Sequence, residues 1–161
     1  MMNRRYFLGS ALILTALSAC GSAPRSQQQP LTQAQDRLAL YPNETPELRR
    51  KINYWAAHHE VPVDLVHRLA IRESRHRPKA RNGPYYGLLQ ILPATAKTMG
   101  YRGTPEGLLD ADNNLNYGVK YLRGAYLVAD GNHDAAIKWY ASGYYYEAKR
   151  KGLLQETGLR A

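Results

Sequence analysis

The residue best suited to chemistry in this sequence is a carboxylic acid on an apolar helical face. Helical periodicity places Glu73 on one side of a helix together with three apolar residues, Val66, Leu69 and Ala70. Because apolar surroundings disfavour a carboxylate anion, we expect the pKa of Glu73 to be raised. Such a group can act as a general acid near neutral pH. The alternative is an acid at a helix end that forms an ion pair with a neighbouring arginine.

The single cysteine is the second candidate for chemistry. One Cys in 161 residues allows neither an intrachain disulfide nor a zinc site built from several cysteines. Residues 1–19 have Arg4 and Arg5 ahead of a short apolar stretch, which predicts a signal peptide. Its last residues before Cys20 resemble a bacterial lipobox: Leu17, Ser18 and Ala19. We therefore expect cleavage before Cys20 and attachment of a lipid to its thiol; the alternative is a chance cysteine after an ordinary signal peptide.

The remaining N-terminal residues indicate how the chain is organised and where it works. The twin arginines also fit a twin-arginine export signal, and a general secretory signal remains the alternative. Residues 20–30 predict a lipidated N-terminus and a flexible polar linker, followed by one catalytic domain over residues 31–161. Gly21 is not the Asp associated with inner-membrane retention. We expect an exported protein anchored by lipid to the cell envelope, on the outer membrane facing the periplasm if the cell has two membranes.

The charge balance predicts an anionic partner. The chain has 22 Lys and Arg against 13 Asp and Glu, which suits nucleic acid, an anionic membrane or the cell wall. Export removes the protein from nucleic acid, so no nucleic-acid partner is expected. Six basic residues lie between Arg68 and Arg81 beside Glu73. They form either an ordinary solvated surface or a surface that attracts an anionic polymer.

Histidines offer a metal-binding alternative, which the spacing does not favour. His58, His59, Glu60 and His67 do not match the HExxH pattern or another common ligand set. We therefore predict no metal and no cofactor.

The elements that must position these residues are helices. Thr45 followed by Pro46 is a typical helix start, and there is no strand pattern of period two and no hairpin signal. We predict an all-α domain of about six or seven helices without a substantial sheet. The predicted helices cover residues 46–59, 63–74, 93–99, 113–129, 134–141 and 144–151.

Three ordered blocks of sequence resemble one enzyme family. Glu73-Ser74 with Pro78 and Ala80 precedes the run Gly87-Leu88-Leu89-Gln90-Ile91-Leu92-Pro93-Ala94-Thr95-Ala96. The second block contains Asn114-Leu115, Gly118 and Tyr121-Leu122, and the third is Ala136-Ile137-Lys138-Trp139-Tyr140-Ala141-Ser142-Gly143. Together they resemble the soluble, goose-type-lysozyme-like lytic transglycosylases of bacteria over about residues 50 to 150. The resemblance implies a lysozyme-like helical fold and peptidoglycan glycan strands as the substrate of a monomer.

The resemblance also implies a role for individual residues. Glu73 corresponds to the single catalytic acid, which protonates the glycosidic oxygen and then acts as the base that forms a 1,6-anhydro product. The hydroxyl of Tyr140 is expected to hold that acid. Further residues are expected to bind or orient the substrate: Ser74, Tyr86, Leu88, Leu89, Gln90 and Asn114.

The sequence departs from the family pattern at three places. Leu89 replaces the usual Met, Ala141 stands where the family has Asn, and the turn over residues 81–86 is short and lacks a Ser. Two alternatives to the lytic transglycosylase remain: a muramidase in which water attacks instead of the 6-hydroxyl, and a non-catalytic wall-binding lipoprotein. The intact Glu73-Ser74 and Tyr140 argue against the second alternative, while Ala141 leaves it open.

Overall fold

The computed structural model describes residues 39–160, so the predicted signal peptide, Cys20 and the linker lie outside the described residues. The described chain is mostly helical, with one very small sheet. Its elements are α1 (Pro46–His58), α2 (Val63–Ser74), β1 (Arg81–Asn82), β2 (Tyr85–Tyr86), α3 (Pro93–Thr98), a 3₁₀ helix (Pro105–Leu109), α4 (Ala111–Val128), α5 (His133–Ser142) and α6 (Tyr145–Lys151). The predicted all-α class is confirmed. Between residues 39 and 160, no helix is both long and apolar enough to cross a bilayer.

Side-chain caps mark three of the six α-helix starts in the described chain, at Thr45, Asp110 and Asn132. Thr45 accepts a hydrogen bond from the Leu48 amide at 3.1 Å and Pro46 begins α1, as predicted. The predicted start of α4 at Asn113 or Asn114 is wrong, because Asp110 accepts from the Asn113 amide at 3.0 Å and caps the helix earlier. These caps satisfy amides that no helical carbonyl can reach.

The long helix α4 is central to the core. Leu115, Val119 and Leu122 on α4 are fully buried in the same cluster as Leu65 and Leu69 of α2. This core also includes residues of α1, α5 and α6. Each such leucine contributes about 2 kcal/mol of hydrophobic free energy when it is removed from water. The core therefore fixes α2, which carries Glu73, against α4.

A short hairpin contradicts the prediction that no hairpin is present. Arg81 pairs with Tyr86 and Asn82 pairs with Tyr85 in an antiparallel register. Gly83 has a φ of +54°, a value that L side chains rarely adopt and that the tight turn requires. The strands have only two residues each, which is too short to show the alternation that identifies a strand.

The hairpin continues into a tight loop over residues 87–90. Tyr86 and Ile91 exchange two main-chain hydrogen bonds of 3.1 Å that close this loop. Gly118 on α4 lies beneath it, and a Cβ atom there would lie 2.8 Å from Leu89 Cδ1. The absence of a side chain at Gly118 thus allows the loop to pack directly on α4.

Candidate active site

A cleft of about 510 Å³ opens where α2 ends, beside the hairpin and the end of α5. The residues that line it come from four separate parts of the chain. They are Arg72, Glu73, Asn82, Tyr85, Gln90, Ile91, Leu92, Thr95, Tyr121, Tyr140, Ala141, Ser142 and Gly143. Glu73 is the one carboxylic acid among these described lining residues.

Glu73 has the electrostatic character of a general acid. Its side chain is 21% exposed, and burial raises its pKa, opposed by the positive charge of Arg72. The Arg72 Nε atom lies 3.4 Å from Glu73 Oε1, but the Arg72 side chain is 51% exposed. The apolar face and the arginine neighbour are therefore both present, and burial has the larger effect on the pKa.

Tyr140 forms the wall of the cleft next to Glu73. The Tyr140 ring is buried. Burial raises the pKa of the Tyr140 hydroxyl, and the negative charge of Glu73 raises it further. Its hydroxyl donates to the main-chain carbonyl of Leu89 at 2.9 Å. Since that bond uses its one hydrogen, the hydroxyl can hydrogen-bond to Glu73 only as an acceptor, when Glu73 is protonated. The expected contact with the acid stays a prediction.

The loop contributes its polar residue to the cleft and its apolar residues to the core. Gln90 lines the cleft and has a φ of +47°. Its side-chain amide donates to the main-chain carbonyls of Gly87 at 2.7 Å and Ala80 at 3.2 Å. Leu88 and Leu89 are completely buried. They were expected to bind substrate, but they pack in the core away from the cleft.

Asn114 holds this loop from below. Its side-chain oxygen accepts from the Leu89 amide, and its nitrogen donates to the carbonyls of Tyr86 and Leu108, each at 2.8 Å. The residue is completely buried and does not line the cleft, so its side chain positions the loop from the core side. Gly87, at a φ of +75°, makes this approach possible, because a Cβ there would lie 2.2 Å from the Asn114 nitrogen.

Two other expected site residues face away from the cleft. Ser74 is buried, donates to the Ala70 carbonyl at 3.3 Å and accepts from the Arg77 amide at 3.2 Å, so it closes the end of α2. The hydroxyl of Tyr86 accepts from the Arg81 guanidinium at 2.7 Å, and the ring is buried. Successive residues of a strand point to opposite faces, and Tyr85, 42% exposed, is the one that lines the cleft.

Several lining residues are not among the expected site residues: Asn82, Ile91, Leu92, Thr95, Ser142 and Gly143. Ile91 and Thr95 lie in the first family-like block and Ser142 and Gly143 in the third, so block membership was an available signal. The signal for Asn82 was the Asn82-Gly83 pair, a typical hairpin turn sequence that the prediction of no hairpin overlooked. Ala141, where the family has Asn, also lines the cleft.

One group of metal-ligating side chains converges within residues 39–160. Potential ligand atoms of Glu44, His67 and His76 all lie within 4.8 Å of one another, and the three residues are buried. However, Arg49 donates to both carboxylate oxygens of Glu44, at 3.1 and 2.6 Å. A divalent cation there would add buried charge to an already neutralised pair, which is costly. We interpret the group as a hydrogen-bonded cluster, in which His67 Nδ1 and His76 Nε2 lie 3.0 Å apart.

This cluster holds the start of the described chain against the end of α2. We call residues 39–45 the strap. The Tyr41 ring stacks on His76 with centroids 5.1 Å apart, and the Asn43 side chain donates to the Arg75 carbonyl at 3.0 Å. Both contacts lie within three residues of Glu73. The strap therefore supports the segment that carries the candidate acid.

A helical domain with one half-buried carboxyl in an open cleft has the arrangement of a lysozyme-like glycan-cleaving enzyme. Comparison with known families identifies the branch of this class. The model of the "Transglycosylase SLT domain" family matches residues 50–157. The chain belongs to this family of lytic transglycosylases.

Two individual proteins are similar to the chain. "Membrane-bound lytic murein transglycosylase F" of Shewanella woodyi is 29% identical over 129 residues, which cover 76% of this chain and 26% of that protein. The crystal structure of the 70 kDa soluble lytic transglycosylase SLT70 of Escherichia coli matches with a TM-score of 0.56 and 24% identity. That match covers 73% of this chain and 19% of the larger one, and it confirms the lysozyme-like fold. The chain thus corresponds to about a quarter of one protein and a fifth of the other.

Proposed function

We propose that this protein is a lytic transglycosylase that cleaves the β-1,4 bond between N-acetylmuramic acid and N-acetylglucosamine in peptidoglycan. The observation that carries the proposal is the position of Glu73: a half-buried acid with a raised pKa, in the cleft of a domain of the transglycosylase SLT family. A raised pKa keeps the carboxyl protonated at a pH where an ordinary glutamate is ionised, which is the state needed to protonate a leaving group.

The proposed reaction needs one carboxyl group from the protein. Glu73 gives its proton to the glycosidic oxygen as the bond to the anomeric carbon breaks. The acetamido carbonyl of the muramic acid bonds to that carbon, so the substrate replaces the usual second carboxylate. Ionised Glu73 then removes the proton of the 6-hydroxyl, whose oxygen displaces the acetamido oxygen and forms the 1,6-anhydro ring. Glu73 ends protonated, and no water is consumed.

Neighbouring residues support the two charge states of Glu73. The Tyr140 hydroxyl, which donates to Leu89, can accept a hydrogen bond from the protonated carboxyl. After proton transfer, the nearby Arg72 guanidinium stabilises the carboxylate. The rings of Tyr85 and Tyr121 line the cleft and offer faces for sugar rings.

The decisive experiment is digestion of purified sacculi with the enzyme and its Glu73→Gln variant. We expect the wild type to release muropeptides with anhydro ends, and Glu73→Gln to lower the rate by about 10²- to 10⁴-fold, the usual contribution of a general acid. Mass spectrometry identifies the ends, and Glu156→Gln, at an exposed site, is the matched control. Reducing ends would instead indicate a muramidase. No release by the wild type would indicate a wall-binding protein, the alternative that Ala141 in the cleft favours.

We also propose that residues 1–19 are a signal peptide and that Cys20 carries a lipid that anchors the protein to the cell envelope, on the outer membrane facing the periplasm if the cell has two membranes. The relative from Shewanella woodyi is named as membrane-bound, which agrees with an envelope location. The ten residues between Cys20 and Leu31 reach about 35 Å when extended. The domain, acting as a monomer, would then work close to the membrane.

Membrane fractionation tests the anchor. Cys20→Ala should move the protein from the membrane fraction to the soluble fraction and abolish labelling by a fatty-acid analogue. Ser22→Ala is the matched control and should remain membrane-bound. Persistent membrane association of Cys20→Ala would overturn the proposed anchor without affecting the proposed reaction.

A further inference from the structure

A second groove lies on the other side of Arg72 from Glu73. It has a volume of about 560 Å³ and lies between α2 and α5. Its lining residues are Arg68, Ile71, Arg72, Asp134, Ile137 and Lys138. Arg72 lines both this groove and the cleft. The two depressions therefore adjoin at the residue that precedes the candidate acid.

The groove has an apolar floor. Ile71 is 42% exposed, which is unusual for a β-branched apolar side chain, and Ile137 beside it is 9% exposed. Together they present aliphatic surface that small methyl-bearing groups can cover.

The rim of the groove is mainly cationic. Three of its six lining residues are basic and only Asp134 is acidic. Asp134 pairs with Arg68, but the two side chains are 77% and 47% exposed, so water and competing carboxylates can reach the pair. Lys138 is also exposed. The groove is thus suited to a small ligand that has methyl groups and free carboxylates.

We propose that this groove binds the stem peptide of peptidoglycan, through its carboxylates at the rim and its alanyl methyl groups on the isoleucine floor. The inference rests on the proposed function, because that function supplies the ligand. The stem peptide is attached to the lactyl group of the muramic acid, the sugar whose bond Glu73 would cleave. A peptide on that sugar begins at the cleft and can pass Arg72 directly into the groove. Glycan strands with peptides should therefore be better substrates than strands without them.

Charge reversal at the rim tests this assignment. Lys138→Glu should lower kcat/KM on peptide-bearing strands by about fivefold to tenfold, the effect of losing and reversing one exposed charge contact. It should leave kcat/KM on amidase-treated, peptide-free strands unchanged. Lys149→Glu makes the same charge change at an exposed position of α6 outside the groove and is the control. An equal loss on both substrates, or no loss on either, would overturn the proposal.

A binding measurement decides the question without catalysis. N-acetylmuramoyl-L-alanyl-D-glutamate, titrated into methyl-labelled protein, should give saturable NMR shifts at Ile71 and Ile137, and Lys138→Glu should weaken them. Shifts confined to Ile91 and Leu92 would place the ligand in the cleft alone and overturn the groove assignment, as would no saturable shift. If the wild type cuts neither kind of strand, the proposed function fails, while this titration still decides what the groove binds.

Discussion

Two features of the site have opposite effects on the pKa of Glu73. Burial raises the pKa of Glu73, and the neighbouring guanidinium of Arg72 lowers it. In the proposed reaction, this balance lets the carboxyl of Glu73 donate a proton and then hold a negative charge. A buried acid without a nearby cation would donate its proton readily, but its unstabilised carboxylate would take a proton back too early. An exposed acid would already be ionised before the reaction.

Replacing Arg72 tests this balance. In Arg72→Gln the opposing charge is absent, so the pKa of Glu73 should rise further. Because Glu73 must be protonated to donate, activity declines as the pH rises through its pKa, and that decline should move to higher pH. The measurement is kcat/KM against pH on peptide-free strands, which leaves the adjacent groove without ligand. Arg75→Gln, an exposed neighbour, is the control, and an unmoved decline in Arg72→Gln would contradict the assignment.

At the scale of elements, the loop over residues 87–90 depends on one buried amide. Asn114 of α4 satisfies two carbonyls and one amide of segments that have no regular helix or long strand of their own. This side chain ties the loop to α4, in addition to the Tyr140 bond to Leu89 and the Tyr86–Ile91 pair that also hold the loop. Gln90 in the cleft takes its position from this attachment.

The Asn114→Ala variant should therefore lose much of its stability. It leaves the Leu89 amide and the Leu108 carbonyl without the Asn114 partner, at a cost of about 1–2 kcal/mol each, whereas the Tyr86 carbonyl keeps its bond from the Ile91 amide. We therefore expect a loss of about 2–4 kcal/mol in the free energy of unfolding. Chemical denaturation measures this quantity.

Asn116 lies on the same helix as Asn114, and Asn116→Ala removes its partly buried hydrogen bond to His59, just beyond the end of α1. This variant should cost less than about 1 kcal/mol. Equal losses in the two variants would show that Asn114 has no special role.

Features set by contacts within one segment could be predicted from the sequence, whereas contacts between distant segments could not. Thr45 and Pro46 define a helix start by themselves, and the family-like blocks predict the fold and the acid. Two of the groups that the Asn114 side chain binds, the Leu89 amide and the Tyr86 carbonyl, lie 25 and 28 residues before it in the sequence. Nothing in a single segment indicates such a contact, which is why Asn114, Ser74 and Leu89 were expected in the cleft and not beneath it.

At the scale of the whole molecule, buried charge near the strap links stability to pH. Burial lowers the pKa of His67 to about 4 and also lowers that of His76. Burial disfavours the Glu44 anion, but hydrogen bonds from Arg49 and the Tyr41 amide outweigh it, so the pKa of Glu44 is lowered. The folded protein therefore keeps two neutral imidazoles next to a neutralised ion pair.

The free energy of unfolding should depend on pH because of the buried His67. Between about pH 6.5 and pH 4 the unfolded chain binds protons that the buried His67 does not, so stability falls as the pH falls through this range. We expect a loss on the order of 2 kcal/mol by pH 4. Glu44 adds a further loss only at lower pH, below its ordinary pKa.

Variants separate this effect from general acid unfolding. Denaturation at a series of pH values should give a flatter dependence for His67→Gln, whereas the exposed His58→Gln should follow the wild type. The same slope in all three proteins would rule out the buried histidine as its source.

The strap also determines how the domain responds to mechanical load. Arg49 donates to the carbonyl of Ala39 at 3.0 Å, four residues ahead of the contact between Asn43 and Arg75. A pull on the chain ahead of residue 39 reaches Arg49 first, and Arg49 is buried in α1. Tension is thus taken up by α1 and its core contacts before it can reach the end of α2. If Cys20 carries the proposed lipid, tension from the anchor would reach α1 before it reached the segment that carries Glu73.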